Sequence, residues 1–427
     1  MLQRKFLRSR DFSLFLQMNR LSHSMKLIEM SLSKIQELRA LSHPKRSEAL
    51  SKLMKLRNSQ CSSPISSVIY INNYITNSQE ISEAFSAYFA SSLTTDDSPC
   101  LYHVEPLTSA QFSAVTFHPN DLTVQLTEIR WSYHPGPDAV PPATFSLGGT
   151  DIPFLLSKVF NLPMSSSVFP SHWKTSVIIP IPKKGSRQDL TNYRPVNHTP
   201  IVSRIMERLI KNKLTTHLLN NNLINTGQHG FLQKRSCATC MSDFLNLITT
   251  ATNSGKSVIV ILLDMTKAFD RVSHNRLMAK MKTCGIVDPI LSWFSSYLTS
   301  RKQVVDVDGN LSSPRPVTSG VIQGSVLGPL LFLIYVNDIF NVITHGAAFL
   351  FADDIKIMYS FEPDALASTI ASITSDLLSL DSWSNQRLMK FSAVKSCILM
   401  YKCQVPAGTF KIDDQFIPNS PGVRDLG

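Results

Sequence analysis

Six consecutive β-branched or leucine residues, Val258 to Leu263, run directly into an aspartate, Asp264. A continuous apolar run of this length, without the alternation of a half-solvated strand, predicts a strand buried on both faces. Its abrupt end in a carboxylate is a site-like arrangement. A second apolar segment, Phe349 to Met358, is interrupted at its centre by Asp353 and Asp354 and reads as a hairpin. Side chains alternate faces along a strand, so two consecutive acids can address one site only at a tight turn. Between these segments, Gly320 to Val336 opens with a glycine-rich turn, Gly-Val-Ile-Gln-Gly-Ser, and continues as an apolar helix.

The rest of the chain bounds what such a strand can belong to. With 427 residues, 43% of them hydrophobic, it can bury a large core and is expected to form two or three domains. The longest uninterrupted apolar stretch, Val326 to Val336, contains Gly328 and Pro329 and is far shorter than the roughly 20 residues that span a bilayer, so no membrane helix is expected. Met1 to Arg10 carries four basic residues but leads into no apolar block ending in small residues. A secretory signal is therefore not expected, and the protein is predicted to be intracellular, in the nucleus and/or cytoplasm, and not secreted. Seven scattered cysteines suit reduced thiols better than a disulfide framework. Cys237 and Cys240 form a CxxC, but no second Cys or His pair at zinc spacing accompanies them.

The formal charge of +11 is unevenly spread. Residues 1–60 hold 13 Lys/Arg against 4 Asp/Glu, and residues 171–235 hold 11 against 2. Two basic blocks suggest contact with a phosphate backbone, although solvated faces would give the same count. The first 55 residues read as helical, and Ile81 to Leu93 as a short amphipathic segment with Phe85, Tyr88 and Phe89 on one side. Trp131 to Pro153 is rich in Pro and Gly and is expected to be loop. Residues 177–182, Val-Ile-Ile-Pro-Ile-Pro, look like an edge strand because proline cannot donate to a ladder. Ile201 to Leu219 has the periodicity of an amphipathic helix.

Carboxylates at strand ends are the equipment of phosphoryl transfer, in which positioning and charge neutralisation do most of the catalysis. Magnesium takes one or two carboxylates per ion and completes its shell with water and substrate oxygens. Asp264 on one strand, with Asp353 and Asp354 on a hairpin beside it, suits that demand. Leu263-Asp264-Met265-Thr266-Lys267-Ala268-Phe269-Asp270, Gly320-Val321-Ile322-Gln323-Gly324-Ser325-Val326-Leu327-Gly328-Pro329 and Phe351-Ala352-Asp353-Asp354 resemble, in order and spacing, the core motifs of reverse transcriptases. The variety they resemble is the non-LTR (LINE-type) retrotransposon enzyme. Gly136-Pro137-Asp138, Trp173-Lys174, Ile179-Pro180-Ile181-Pro182-Lys183-Lys184-Gly185, Asn192-Tyr193-Arg194-Pro195 and Gln228-His229-Gly230-Phe231 agree with it.

The resemblance implies an α/β (α+β) right-hand polymerase fold, fingers and palm with an antiparallel palm sheet and a helical N-terminal region. Residues 1–125 would be a basic, mainly helical N-terminal region or linker, 126–255 the fingers and 256–427 the palm, truncated before the thumb. It implies an RNA-directed DNA polymerase that uses two magnesium ions, an RNA template, a DNA primer and dNTPs. Asp264 and Asp353 would be the principal metal ligands, with Asp354 beside them and the Met265 carbonyl reaching the nucleotide-side ion. Phe269 falls where the family places an aromatic gate against the 2′-hydroxyl. Gln323, beside Gly324, falls in the turn that contacts the incoming nucleotide. Lys183 and Arg194 match the fingers positions that clamp the triphosphate, and Lys395 a lysine that protonates pyrophosphate. Asp270 is expected to be structural, because it lies beyond the end of the strand.

Whole LINE-type proteins usually carry an endonuclease before the polymerase and a thumb after it. By that comparison the chain starts in the linker after the endonuclease and stops, at Val423-Arg424-Asp425-Leu426-Gly427, within the segment resembling the primer grip. The alternative from another class is a catalytically inactive nucleic-acid-binding remnant of such an element.

Overall fold

In a computed structural model of the chain, residues 65–96, 105–129 and 151–422 are described, together with Ser42 and a few positions between 136 and 149. The expected N-terminal helix, the basic first 60 residues and the terminal Val423–Gly427 segment lie outside the described residues. Residues 67–427 pack as one unit. Along it run β1 (Val68–Tyr70), β2 (Asn73–Ile75), α1 (Ser78–Ala90), α2 (Pro119–Thr127), α3 (Asp151–Ser165), β3 (Thr175–Pro182), β4 (Tyr193–His198), α4 (Ile201–Asn220) and α5 (Cys237–Asn253). Then follow β5 (Ser257–Leu263), α6 (His274–Thr283), α7 (Ile290–Leu298), β6 (Arg301–Val307), β7 (Asn310–Leu311), β8 (Arg315–Val317), α8 (Gly328–Val336), β9 (Ala347–Phe351), β10 (Asp354–Phe361), α9 (Leu366–Arg387), β11 (Cys397–Tyr401), β12 (Lys411–Ile412) and β13 (Gln415–Phe416).

The strand Ser257–Leu263 is central in an all-antiparallel sheet of order β11-β5-β10-β9. Its burial follows from position. On one side it pairs with β11, Cys397 opposite Leu262, and on the other with β10, Ile355 opposite Leu263. Phe244 and Ile248 of α5 pack with Val258, Val260 and Met358 on one face. The opposite face, with Ile259 and Ile261, joins the main core, which includes α8 from Leu330 to Val336. Every residue of α8 except Pro329 is buried, so the helix needs no polar stripe.

A second sheet, of order β4-β3-β6-β7, lies beside the glycine-rich turn. It corrects the sequence reading of residues 177–182 as an edge strand. β3 pairs antiparallel with β4 along Val177–Pro182 and parallel with β6 along Thr175–Ile178. The parallel pairing stops before Pro180, so both prolines occupy the half of the strand that is open on one side, and the ladder loses nothing there. This sheet draws strands from both sides of position 255. The loop expected from Trp131 to Pro153 also ends early, since α3 begins at Asp151. Pro153 occupies its first turn, where a missing N–H breaks no intrahelical bond. The amphipathic segment at Ile81 to Leu93 falls largely in α1, with Phe85 and Phe89 buried, and the helix expected at Ile201 to Leu219 is α4.

Candidate active site

The strand register brings the acids together. One step past the Leu263 and Ile355 pair, Asp264 stands opposite Asp354, and Asp353 occupies the turn between β9 and β10 with Ala352 in the left-handed region at φ 60°. The Asp353 carboxyl is pushed up to about 6, first by burial and then by the charges of Asp354 and Asp264. Like charges held this close favour a counter-cation. Lys395 supplies one: its Nζ lies 3.3 Å from Asp264 Oδ1, with the lysine side chain 65% exposed and the aspartate 31%. Among the described residues, no three His, Cys, Asp or Glu side chains form a ready-made ion cage. Magnesium does not require one, because it keeps waters and shares its shell with substrate phosphates. An all-oxygen donor set under mutual repulsion therefore fits magnesium.

The start of the segment after β5 is fastened to residues 390–392. Thr266 donates its N–H to the Lys390 carbonyl at 2.8 Å, and Ser392 donates to the Asp264 carbonyl at 2.9 Å. Met265, between them, faces Phe391 in an antiparallel bridge in which the flanking residues make both hydrogen bonds. Carbonyls alternate direction along extended chain, so that of Met265 is turned away from this segment and toward the β10 side.

The hairpin turn has a brace to which sequence reasoning gave no role. The buried Gln228 side chain accepts from the Gly230 N–H at 2.8 Å and from the Ala352 N–H at 3.0 Å. His229 donates its backbone N–H to the Leu350 carbonyl, and Leu350 donates to the Gly227 carbonyl. A Cβ on Gly230 would fall 2.4 Å from the Ala352 nitrogen, which explains the glycine. Phe231 follows at φ 55°, with its ring edge-on to Phe269 at 6.0 Å. Phe269 is stacked in turn on the buried Phe332 at 4.5 Å.

The glycine turn closes the opposite wall. Gln323 accepts through its carbonyl from the Asn197 N–H at 2.8 Å and the Asn197 side-chain amide at 3.0 Å. Gly324 has φ 108°, and a Cβ there would meet the Asn197 oxygen at 2.6 Å. Val321 donates to the Phe269 carbonyl, and His274 Nε2 lies 2.9 Å from the Gly320 carbonyl oxygen. Lys183 and Arg194, expected from the resemblance to clamp the triphosphate, are exposed on the loop after β3 and on β4. Burial depresses the Lys183 ammonium, as do the positive charges of Arg194 and Lys395, while Asp270 and Asp264 act the other way. Lys183 thus lies within the field of Asp264 and Asp270. Burial pushes the Asp270 carboxyl up to about 6 against the opposing charges of Lys267 and Lys183, and the Lys267 ammonium sits 4.3 Å from the Tyr88 ring centre of α1.

A four-stranded antiparallel sheet that carries clustered aspartates at one end, faced by a glycine turn and two basic positions, defines a palm-type nucleotidyl-transfer architecture. Residues 181–417 match the reverse transcriptase (RNA-dependent DNA polymerase) family, and the chain belongs to that family. Its relatives include RNA-directed DNA polymerases of transposons and a mobile element. They include a "Probable RNA-directed DNA polymerase from transposon BS" of Drosophila melanogaster, 29% identical over 61% of this chain and 30% of that protein. The "Probable RNA-directed DNA polymerase from transposon X-element" of the same species is 31% identical over 53% of this chain and 25% of its own length. The "RNA-directed DNA polymerase from mobile element jockey", also from Drosophila melanogaster, is 34% identical over 48% and 22%. The chain spans less than a third of the length of these relatives. Among the described residues no helix is long and apolar enough to cross a membrane.

Proposed function

We propose that the chain is the fingers and palm of a retrotransposon RNA-directed DNA polymerase, adding deoxynucleotides to a primer 3′-hydroxyl on an RNA template. The observation that carries this reading is the convergence of Asp264, Asp353 and Asp354 at the ends of adjacent strands, with Lys183 in the field of Asp264. Residues 126–255 supply most of the fingers and 256–427 the palm, behind the N-terminal region of 1–125. Asp264, Asp353 and Asp354, with the Met265 carbonyl, would hold two magnesium ions, whose chemistry is activation of the 3′-hydroxyl and neutralisation of charge on the departing pyrophosphate.

The chain's own groups do the remaining work by position. Lys183 and Arg194 hold the triphosphate, Arg194 with a guanidinium fork that suits paired phosphate oxygens. Gln323 and Gly324 let the backbone approach the incoming nucleotide. Phe269, backed by Phe332, cannot yield space to a 2′-hydroxyl and so selects deoxynucleotides. Lys395, beside Asp264, hands its proton to pyrophosphate and regains one from solvent. The protein acts inside the cell, in the nucleus and/or cytoplasm, where its RNA template, DNA primer and dNTPs are available. Extension of a DNA primer on an RNA template by the purified chain, with magnesium and dNTPs, tests the reading. Templated extension is expected; RNA binding without extension would leave a nucleic-acid-binding remnant in its place.

A further inference from the structure

Glu207, on α4, is 1% exposed, and none of the motifs quoted above includes it. A carboxylate that deep is tolerated only when its oxygens are fully engaged. Four donors meet them. Ser203 Oγ donates to Oε1 at 2.9 Å, while Tyr297 OH, the Val326 N–H and the Leu327 N–H donate to Oε2 at 3.2, 3.0 and 3.2 Å. Burial raises its carboxyl pKa, and the bonds from Ser203 and Leu327 pull it back.

Two of these donors end the glycine turn. Leu327 is the N-cap of α8 and makes no side-chain capping bond of its own, so orphan N–H groups at the helix entrance are satisfied by a side chain from another helix. At its other end the turn is tied by the Gly320 N–H to the Val272 carbonyl and by His274 to the Gly320 carbonyl. Its middle is tied at the Gln323 carbonyl by Asn197. Without Glu207 the stretch from Gly324 to Leu327 keeps no side-chain anchor from α4. That stretch begins at Gly324 and follows directly on Gln323, the two residues to which nucleotide contact is given above.

We propose that Glu207 is a positioning residue for nucleotide binding, a buried acceptor that fixes the exit of the glycine turn so that Gln323 is presented in one geometry. The proposal rests on the nucleotide-binding role given to that turn. Charge and hydrogen bonding are separable here, because Glu207→Gln and Glu207→Met both remove the charge but only glutamine keeps an oxygen for Val326 and Leu327.

The test measures KM and kcat for dNTPs in primer extension, together with amide hydrogen exchange at Val326 and Leu327. Glu207→Met is expected to raise KM by about tenfold, as removal of a buried acceptor from two N–H groups would, with a smaller change in kcat and faster exchange of both amides. Glu207→Gln is expected to stay within about twofold of the parent in KM and to keep both amides slow. Equal KM and equal exchange in the two variants would overturn the proposal. Should Glu207→Met not fold, Ser203→Ala and Tyr297→Phe remove donors on the same carboxylate while leaving both turn hydrogen bonds. A several-fold rise in KM from either would mean general packing and would also overturn it. If the parent chain extends no primer, the polymerase reading fails and the exchange comparison decides the role of Glu207 alone.

Discussion

Asp270 shows how a single half-buried carboxyl records the charges around it. Burial pushes it up to about 6, against the opposing pull of Lys267 and Lys183. A carboxyl whose pKa rises on folding binds its proton more tightly in the native state, so it opposes folding once the pH passes its ordinary value. That cost is absent below about pH 4, grows between about 4 and 6, and is complete above. Asp270→Asn is therefore expected to stabilise the protein by on the order of 2 kcal/mol at pH 8 and by almost nothing at pH 4. Urea unfolding at the two pH values reads this directly, and an equal gain at both would mean that the effect is not titration. The sequence marked Asp270 as structural from its place beyond the strand, but not its companions. Tyr88 and Ser92 reach Lys267 from α1 and the turn after it, across more than 170 residues of chain, and nothing in the local pattern announces that contact.

At the scale of elements, period and composition were sufficient where an element is defined by its own residues. The run Val258 to Leu263 is the buried central strand, and the break at Asp353 and Asp354 is the hairpin turn. They failed where the definition comes from a distant partner. β3 reads as an edge because of Pro180 and Pro182, yet β6, more than 120 residues later, covers its first half. The brace by Gln228 was hidden for the same reason. Its residues stood in a recognisable motif, but their role depends on Leu350 and Ala352. Gln228→Ala leaves two buried N–H groups without their acceptor, at about 1–3 kcal/mol each. Primer extension is expected to fall at least about tenfold while the chain stays folded, since small displacements at a site cost orders of magnitude in rate. Full activity in a folded Gln228→Ala protein would show that the turn holds itself.

For the whole molecule, charge is the least local property and the one that sequence located best without explaining it. Residues 171–235 supply Lys183 and Arg194 to the cleft. The 13 Lys/Arg of residues 1–60 belong to a segment outside the described residues, and their role is a matter for solution measurement. If they touch phosphates, replacing them with neutral residues should flatten the dependence of RNA affinity on salt, by about 0.7 in log–log slope for each phosphate of a single strand that is no longer neutralised. An unchanged slope would assign them to solvent.

The proposed polymerase activity rests on three aspartates brought together by one strand register. The most direct measurement is magnesium-dependent primer extension on an RNA template by the parent chain beside Asp264→Asn, Asp353→Asn and Asp354→Asn variants, each checked for folding by thermal denaturation. Extension by the parent is expected, with losses of at least about a thousandfold at Asp264 and Asp353 and the fold retained. Undiminished extension in a folded Asp264→Asn or Asp353→Asn protein would contradict it.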